Sequence, residues 1–173
     1  MALVSLADCR TLASESYKEI GRFLQSNSYL TTGASVFGWR DRRQVENNLL
    51  KFSVKKFFHG LTPLELSLRG WEVTSTAHGL RQLYSPSMNI NLKRVQVVDG
   101  DNVVIYRVIH STKEGGGTVK SLFLVTRFQT ETGFVILFRS IDHTRLSFPS
   151  IASALSAEPE AEPSTQWMDM FTW

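Results

Sequence analysis

The sequence predicts an α+β fold, a curved antiparallel sheet with one helix before the strands and another inserted among them. Three observations predict it. A helical apolar period fills the first 26 residues, a Thr62-Pro63-Leu64-Glu65 helix start interrupts a series of short alternating strands, and the strands after Leu92 are joined by turns too short for parallel crossovers. With 173 residues, 42% hydrophobic and 11% aromatic, the chain has material for one packed core and too little length for two large domains.

Ala13, Tyr17, Ile20 and Leu24 recur at spacings of four, three and four, and Phe23 widens their stripe, so Ser5 to about Ser26 reads as an amphipathic helix. Gln25 to Ser28 and Thr31 to Gly33 then favour turns, because short polar side chains compete for backbone hydrogen bonds. Ser35 to Arg40 is expected to be a strand. Leu50, Phe52 and Val54 alternate with Lys51, Ser53 and Lys55 in a second, half-buried one. Arg40 to Asn48 reads as the connection between these antiparallel neighbours.

Thr62 can accept from the Glu65 backbone while the Glu65 side chain reaches back, and Pro63 has no N–H to leave unsatisfied. Leu64, Leu68 and Trp71 mark one face of the resulting helix, Gly70 allows a bend or a close approach, and the helical region is expected to end near Gly79. An irregular piece then leads to Tyr84, Ser85 and Pro86. Leu92 to Val98 and Val103 to His110 form a hairpin around Asp99-Gly100-Asp101-Asn102, with the Asp-Gly pair expected to supply positive φ. Lys113 to Gly117 and Thr130 to Gly133 separate two further strands, Val119 to Gln129 and Phe134 to Ile141, giving six in all.

Val103-Val104-Ile105-Tyr106 and Phe134 to Phe138 are apolar on both faces, so both sides of the sheet must be covered. A helix can take one side; a second part of the sheet, a hydrophobic ligand or further polypeptide would take the other. Beyond Arg145 the composition turns to the Ser, Ala, Pro and Glu of a linker, up to the aromatic cluster Trp167 to Trp173. The chain thus divides into residues 1–34 (helix and connection), 35–146 (sheet with inserted helix) and 147–173 (linker and aromatic tail).

No apolar run reaches the roughly 18 residues of a spanning helix, and Met1 to Arg10 lacks the pattern of a secretory signal. Cys9 is the single cysteine, so no intrachain disulfide can form. These features lead us to expect a cytoplasmic protein, with the nucleus as alternative, neither secreted nor transmembrane. The net charge is +3, yet all 19 Lys and Arg precede residue 146, and residues 1–157 carry +7 once the tail acids are set aside. Such a body suits plain solvation or transient contact with an anionic membrane surface. Arg40, Arg42, Arg43, Lys55, Lys56, Lys93 and Arg94, with Trp39 and Phe57 interleaved, raise nucleic-acid binding, but no recognised motif accompanies them and edge protection explains them better.

His59, His78, His110 and His143 are far apart, with no carboxylate or thiol at metal-ligand spacing, so no metal is expected. There is no G-x-S-x-G elbow, and Gly115-Gly116-Gly117 lacks the Lys-Ser/Thr and helix of a phosphate loop. Neither a cofactor nor catalysis is expected. The most informative polar residues are Arg107, Arg127 and Arg139, each in mid-strand on the same face as apolar neighbours. Each needs an acceptor, either a carboxylate such as Glu72 or Asp142 or a ligand's carboxylate, phosphate or hydroxyl.

The order of these elements resembles the START (StAR-related lipid transfer) domain. Val97 to Tyr106, Lys120 to Thr126 and Gly133 to Ile141 carry the likeness. More narrowly, Gly79-Leu80-Arg81-Gln82-Leu83-Tyr84-Ser85-Pro86-Ser87-Met88-Asn89 and the Trp167 to Trp173 cluster resemble the oomycete mating-specific protein family. The resemblance covers about residues 35–145 and implies a helix-grip fold, in which a curved antiparallel sheet wraps a long C-terminal helix around a hydrophobic cavity. The family's last strand and lid helix find no counterpart before Trp173, so the chain is expected to be incomplete at that end, leaving a half-open sheet, a partner, or the tail folded over the opening.

The resemblance implies noncatalytic binding of a lipid or other hydrophobic small molecule, as a carrier or sensor. Trp71, Tyr84, Phe123 and Phe138 are the candidate lining, and Arg107, Arg127 and Arg139 the candidate headgroup contacts. The rival expectation is a protein-interaction or regulatory module without ligand, engaging another chain through the sheet and the aromatic tail.

Overall fold

The computed structural model describes residues 3–46, 49–111, 116–141, 166–167 and 171–172. Most of the linker and tail, the loop residues Lys113 to Gly115, and Asp142, His143 and Arg145 lie outside the described residues.

Helix α1 (Leu6–Gln25) begins at a reciprocal cap: Ser5 Oγ accepts from the Asp8 N–H at 3.2 Å, and the Asp8 carboxylate accepts from the Ser5 N–H at 3.0 Å. Strands β1 (Arg40–Glu46) and β2 (Leu49–Lys55) pair antiparallel in a sheet of their own, with Arg40 opposite Lys55 and Arg43 opposite Phe52. Their positions correct the expectation for this region. Much of the predicted connection is strand, and the predicted strand at 35–40 is a tight turn. Val36 and Trp39 exchange both backbone hydrogen bonds across Phe37 (φ 51°) and Gly38 (φ 82°), which folds that apolar run on itself and delays strand entry to Arg40.

Helix α2 (Pro63–Thr74) opens with the expected cap, Thr62 Oγ1 accepting from the Glu65 N–H at 3.2 Å and Glu65 accepting from the Thr62 N–H at 2.9 Å. It stops earlier than the periodicity suggests. Thr76 becomes a new N-cap, accepting from the Gly79 N–H at 3.0 Å, and starts the short helix α3 (Ala77–Arg81). Gly79 fills the corner: a Cβ there would lie 2.2 Å from the Val73 carbonyl oxygen and 2.7 Å from its Cα.

Strands β3 (Asn89–Asp99), β4 (Asn102–His110), β5 (Thr118–Thr130) and β6 (Gly133–Ser140) form a curved antiparallel meander in chain order. Register shifts between Arg94 and Gln96 and between Val97 and Asp99 bend the first strand. The β3–β4 turn has no positive φ, contrary to the Asp-Gly expectation. Asp99 Oδ1 closes it instead, accepting from the Asp101 N–H at 2.9 Å and from Asn102 Nδ2 at 2.8 Å.

Helices cover both faces of this meander, which accounts for its two-sided apolar strands. On one face α1 brings Cys9 against Val104, Tyr106, Val108, Leu122 and Leu124, and Ala13 and Ile20 against Leu137. On the other, Trp71 of α2 and Leu80 of α3 pack on Val103, Ile105, Phe123 and Val125. Gly70 lets α2 approach closely, its absent Cβ position lying 3.0 Å from Ile136 Cδ1. The backbone of Gln166–Trp167 (β7) pairs parallel with β5 at Val119 and Lys120, a stretch that β6 leaves open, and Phe171–Thr172 (β8) pairs antiparallel with β6.

Candidate functional site

Six of the seven candidate residues share one face of the sheet, and the seventh is on the other. Arg107 is central: it is 1% exposed, its Nε donates to Ser121 Oγ at 3.0 Å, its Nη1 donates to Tyr84 Oη at 3.0 Å, and its guanidinium lies 5.6 Å from the Phe123 ring centroid. Ser121 faces Arg107 directly in the β4–β5 register. Tyr84 is delivered by a loop that Arg81 organises, donating to the carbonyls of Ser85 and Met88 at 3.2 Å each. Neither Ser121 nor Arg81 stood out in the sequence; the hairpin register was the signal that could have found Ser121.

Arg127 lies on the same face, its guanidinium 5.1 Å from the Trp71 ring centroid, but its charge is met by Asp101, with Nη2 and Nε at 2.6 and 2.8 Å from Oδ1. Phe138 packs against Phe123 with centroids 5.9 Å apart. Arg139 points to the α1 side, 3.6 Å from Glu19. Among the described residues the carboxylate beside Arg127 is Asp101 and one beside Arg139 is Glu19, where the sequence had offered Glu72; Asp142, the other expected acceptor, lies outside the described residues.

An open cleft of about 770 Å³ lies on the α1 side, at the end of the sheet where the β3–β4 and β5–β6 turns meet. Of the candidate residues only Arg127 lines it, beside Arg10, Tyr17, Asp99, Asp101 and Glu131. Burial alone would raise the Asp99 carboxyl, but bonds from the Asn102 side chain and from the backbone N–H groups of Asp101 and Asn102, with Arg10 nearby, hold it below the usual carboxylate range. The cleft is open and, beside Leu6, Ala13, Tyr17 and Phe128, has two cations and three carboxylates in its lining, a poor enclosure for a lipid tail.

A group of exposed apolar side chains surrounds the β1–β2 hairpin. Phe37 is 88% exposed and Phe57 76%, with Leu30, Val36, Phe52 and Val54 also open to solvent. Trp39 and Phe58 meet edge to face at 6.0 Å, and the Lys56 ammonium lies 5.6 and 5.4 Å from their two centroids. Arg42 covers the Tyr29 ring at 4.5 Å. Pairing places Arg40, Arg42 and Lys55 on one face of the hairpin and Phe52, Val54 and Val45 on the other. The expected strand at Ser35 to Arg40 hid this; the Phe37-Gly38 pair between apolar residues was its sequence signal.

Among the described residues no cluster of three or more His, Cys, Asp or Glu could hold a metal ion, and no helix is long and apolar enough to cross a membrane. Compared with known proteins, the chain matches no family model and no curated protein sequence.

Proposed function

We propose that this chain is a noncatalytic interaction module that docks through the β1–β2 hairpin. The observation that carries the reading is the exposure of Phe37 and Phe57 among cations on a hairpin whose two-stranded sheet is separate from the main one, while helices cover both faces of the main sheet. An isolated two-stranded sheet gains little by itself from exposing such residues; covering them against a partner removes apolar area from water.

The second reading is a START-like helix-grip carrier of a lipid or other hydrophobic molecule, and the Arg107, Tyr84 and Phe123 cluster favours it as a polar anchor in an apolar wall. That carrier needs α2 and α3 to give way, since Trp71 and Leu80 occupy the space beside Phe123. Native mass spectrometry with organic extraction of the folded protein separates the two. The docking reading expects a ligand-free chain with cooperative unfolding. A stoichiometric apolar molecule that leaves on extraction would overturn it in favour of the carrier.

A further inference from the structure

We propose that the surface met by the hairpin is a lipid bilayer carrying anionic headgroups. The inference rests on the docking reading and names its partner. Between Tyr29 and Gly60 six Lys and Arg stand against two acids, and one of those, Asp41, is already engaged by Thr32 and Arg43. The net positive charge complements a negative surface, and the apolar side chains complement what lies beneath it.

The turn at Phe37 sharpens the argument. Phe37 adopts φ 51°, a conformation that a bulky side chain rarely takes, and the result is a ring 88% exposed at the tip of a two-residue turn. The tip is fixed rather than loose: Val36 and Trp39 close it with bonds of 3.0 and 2.9 Å, and the Lys56 side chain lies under Gly38, 3.7 Å from where a Cβ would sit. Lys56 therefore runs its stem past Gly38, the residue after Phe37, and holds its ammonium over the Trp39 and Phe58 rings.

A polyanion such as single-stranded nucleic acid would use the cations and stack on rings, but it has no use for Leu30 (70% exposed) and Val36 (60%) beside them. Hydrocarbon accepts aliphatic and aromatic groups alike, while the headgroups take the arginines and lysines. Neither signal alone holds a protein at a bilayer, and the hairpin supplies both.

The test is cosedimentation of the full chain, at about 0.1 M salt, with phosphatidylcholine vesicles and with vesicles in which about a third of the lipid is phosphatidylserine. At least about tenfold stronger partition onto the anionic vesicles is expected. Phe37→Asn suits the left-handed turn better than the native residue, so it keeps or raises the thermal midpoint, yet it lowers partition about tenfold. Lys56→Gln lowers partition onto the anionic vesicles several-fold and leaves the neutral ones unchanged. Equal partition onto both vesicles, or an unchanged Phe37→Asn variant, overturns the proposal. Absent vesicle binding with capture of an acidic peptide or an oligonucleotide overturns the membrane and leaves the docking reading standing; a stoichiometric extracted lipid overturns that reading as well.

Discussion

Arg107 Nη1 donates to Tyr84 Oη at 3.0 Å, tying the middle of the sheet to the loop that follows α3. The guanidinium is buried, so a lost acceptor is not replaced by water without cost. Tyr84→Phe should therefore lower stability by about 1–3 kcal/mol in urea unfolding. Combining it with Arg107→Met should lose less than the two single variants added together, because the second change removes the group that the first leaves unsatisfied. Strict additivity would mean that the bond contributes nothing.

The two glycines packed closely in α2 and α3 should respond differently to alanine. At Gly79 the new methyl meets the backbone of Val73, which cannot step aside without moving the end of α2. A loss of about 1–3 kcal/mol is expected. At Gly70 it meets only the far end of the Ile136 side chain, and alanine's higher helix propensity, about 1 kcal/mol, offsets the crowding. Thermal melts of both variants check this: Gly70→Ala should stay near the parent midpoint, Gly79→Ala well below it.

What was legible in the sequence follows from how local its causes are. Thr62 and Glu65 are three residues apart, and the four strands of the meander are joined by turns, so caps, periods and turns exposed α2 and the strand order. The break at Thr76 was hidden because the apolar pattern continues across it, and only the Gly79 contact with Val73 shows why the chain must bend. The demand for cover on both faces was readable; that α1 supplies one of them depends on packing between distant segments. Arg127 and Asp101 are 26 residues apart, yet the pairing of Asn102 with Thr126 sets them side by side, so a register assignment would have named that partner. Tyr84 reaches Arg107 only through the loop that Arg81 gathers, which no spacing reveals.

The Arg127 and Asp101 pair should contribute little despite its short distances. Asp101 is half-exposed, so solvent screens the charges and the side chains give up rotamer freedom to meet. Asp101→Ala is expected to cost less than about 1 kcal/mol. The difference from the parent should shrink further in about 1 M salt. A larger, salt-independent loss would point to the turn itself, where the Asp101 backbone N–H and carbonyl also bond to Asp99 and Arg127.

Cys9 links the core to alkaline stability. Its thiol is fully buried against the strands, and that burial first, then the negative charges of Asp99 and Asp8, push its pKa from 9.0 up to about 11. The unfolded chain therefore loses this proton at lower pH than the folded one. The contribution is intact below about pH 9 and is lost as pH rises toward about 11, where the folded thiol ionises too. Urea midpoints measured from pH 8 upward should fall more steeply for the parent than for Cys9→Ala, which has no thiol to ionise. Alkylation at about pH 8 should be slow and should accelerate in step with unfolding by urea, since only the opened chain offers a thiolate. Rapid alkylation in the absence of denaturant would mean that α1 leaves the sheet readily, and the alkaline difference between the two proteins would then vanish.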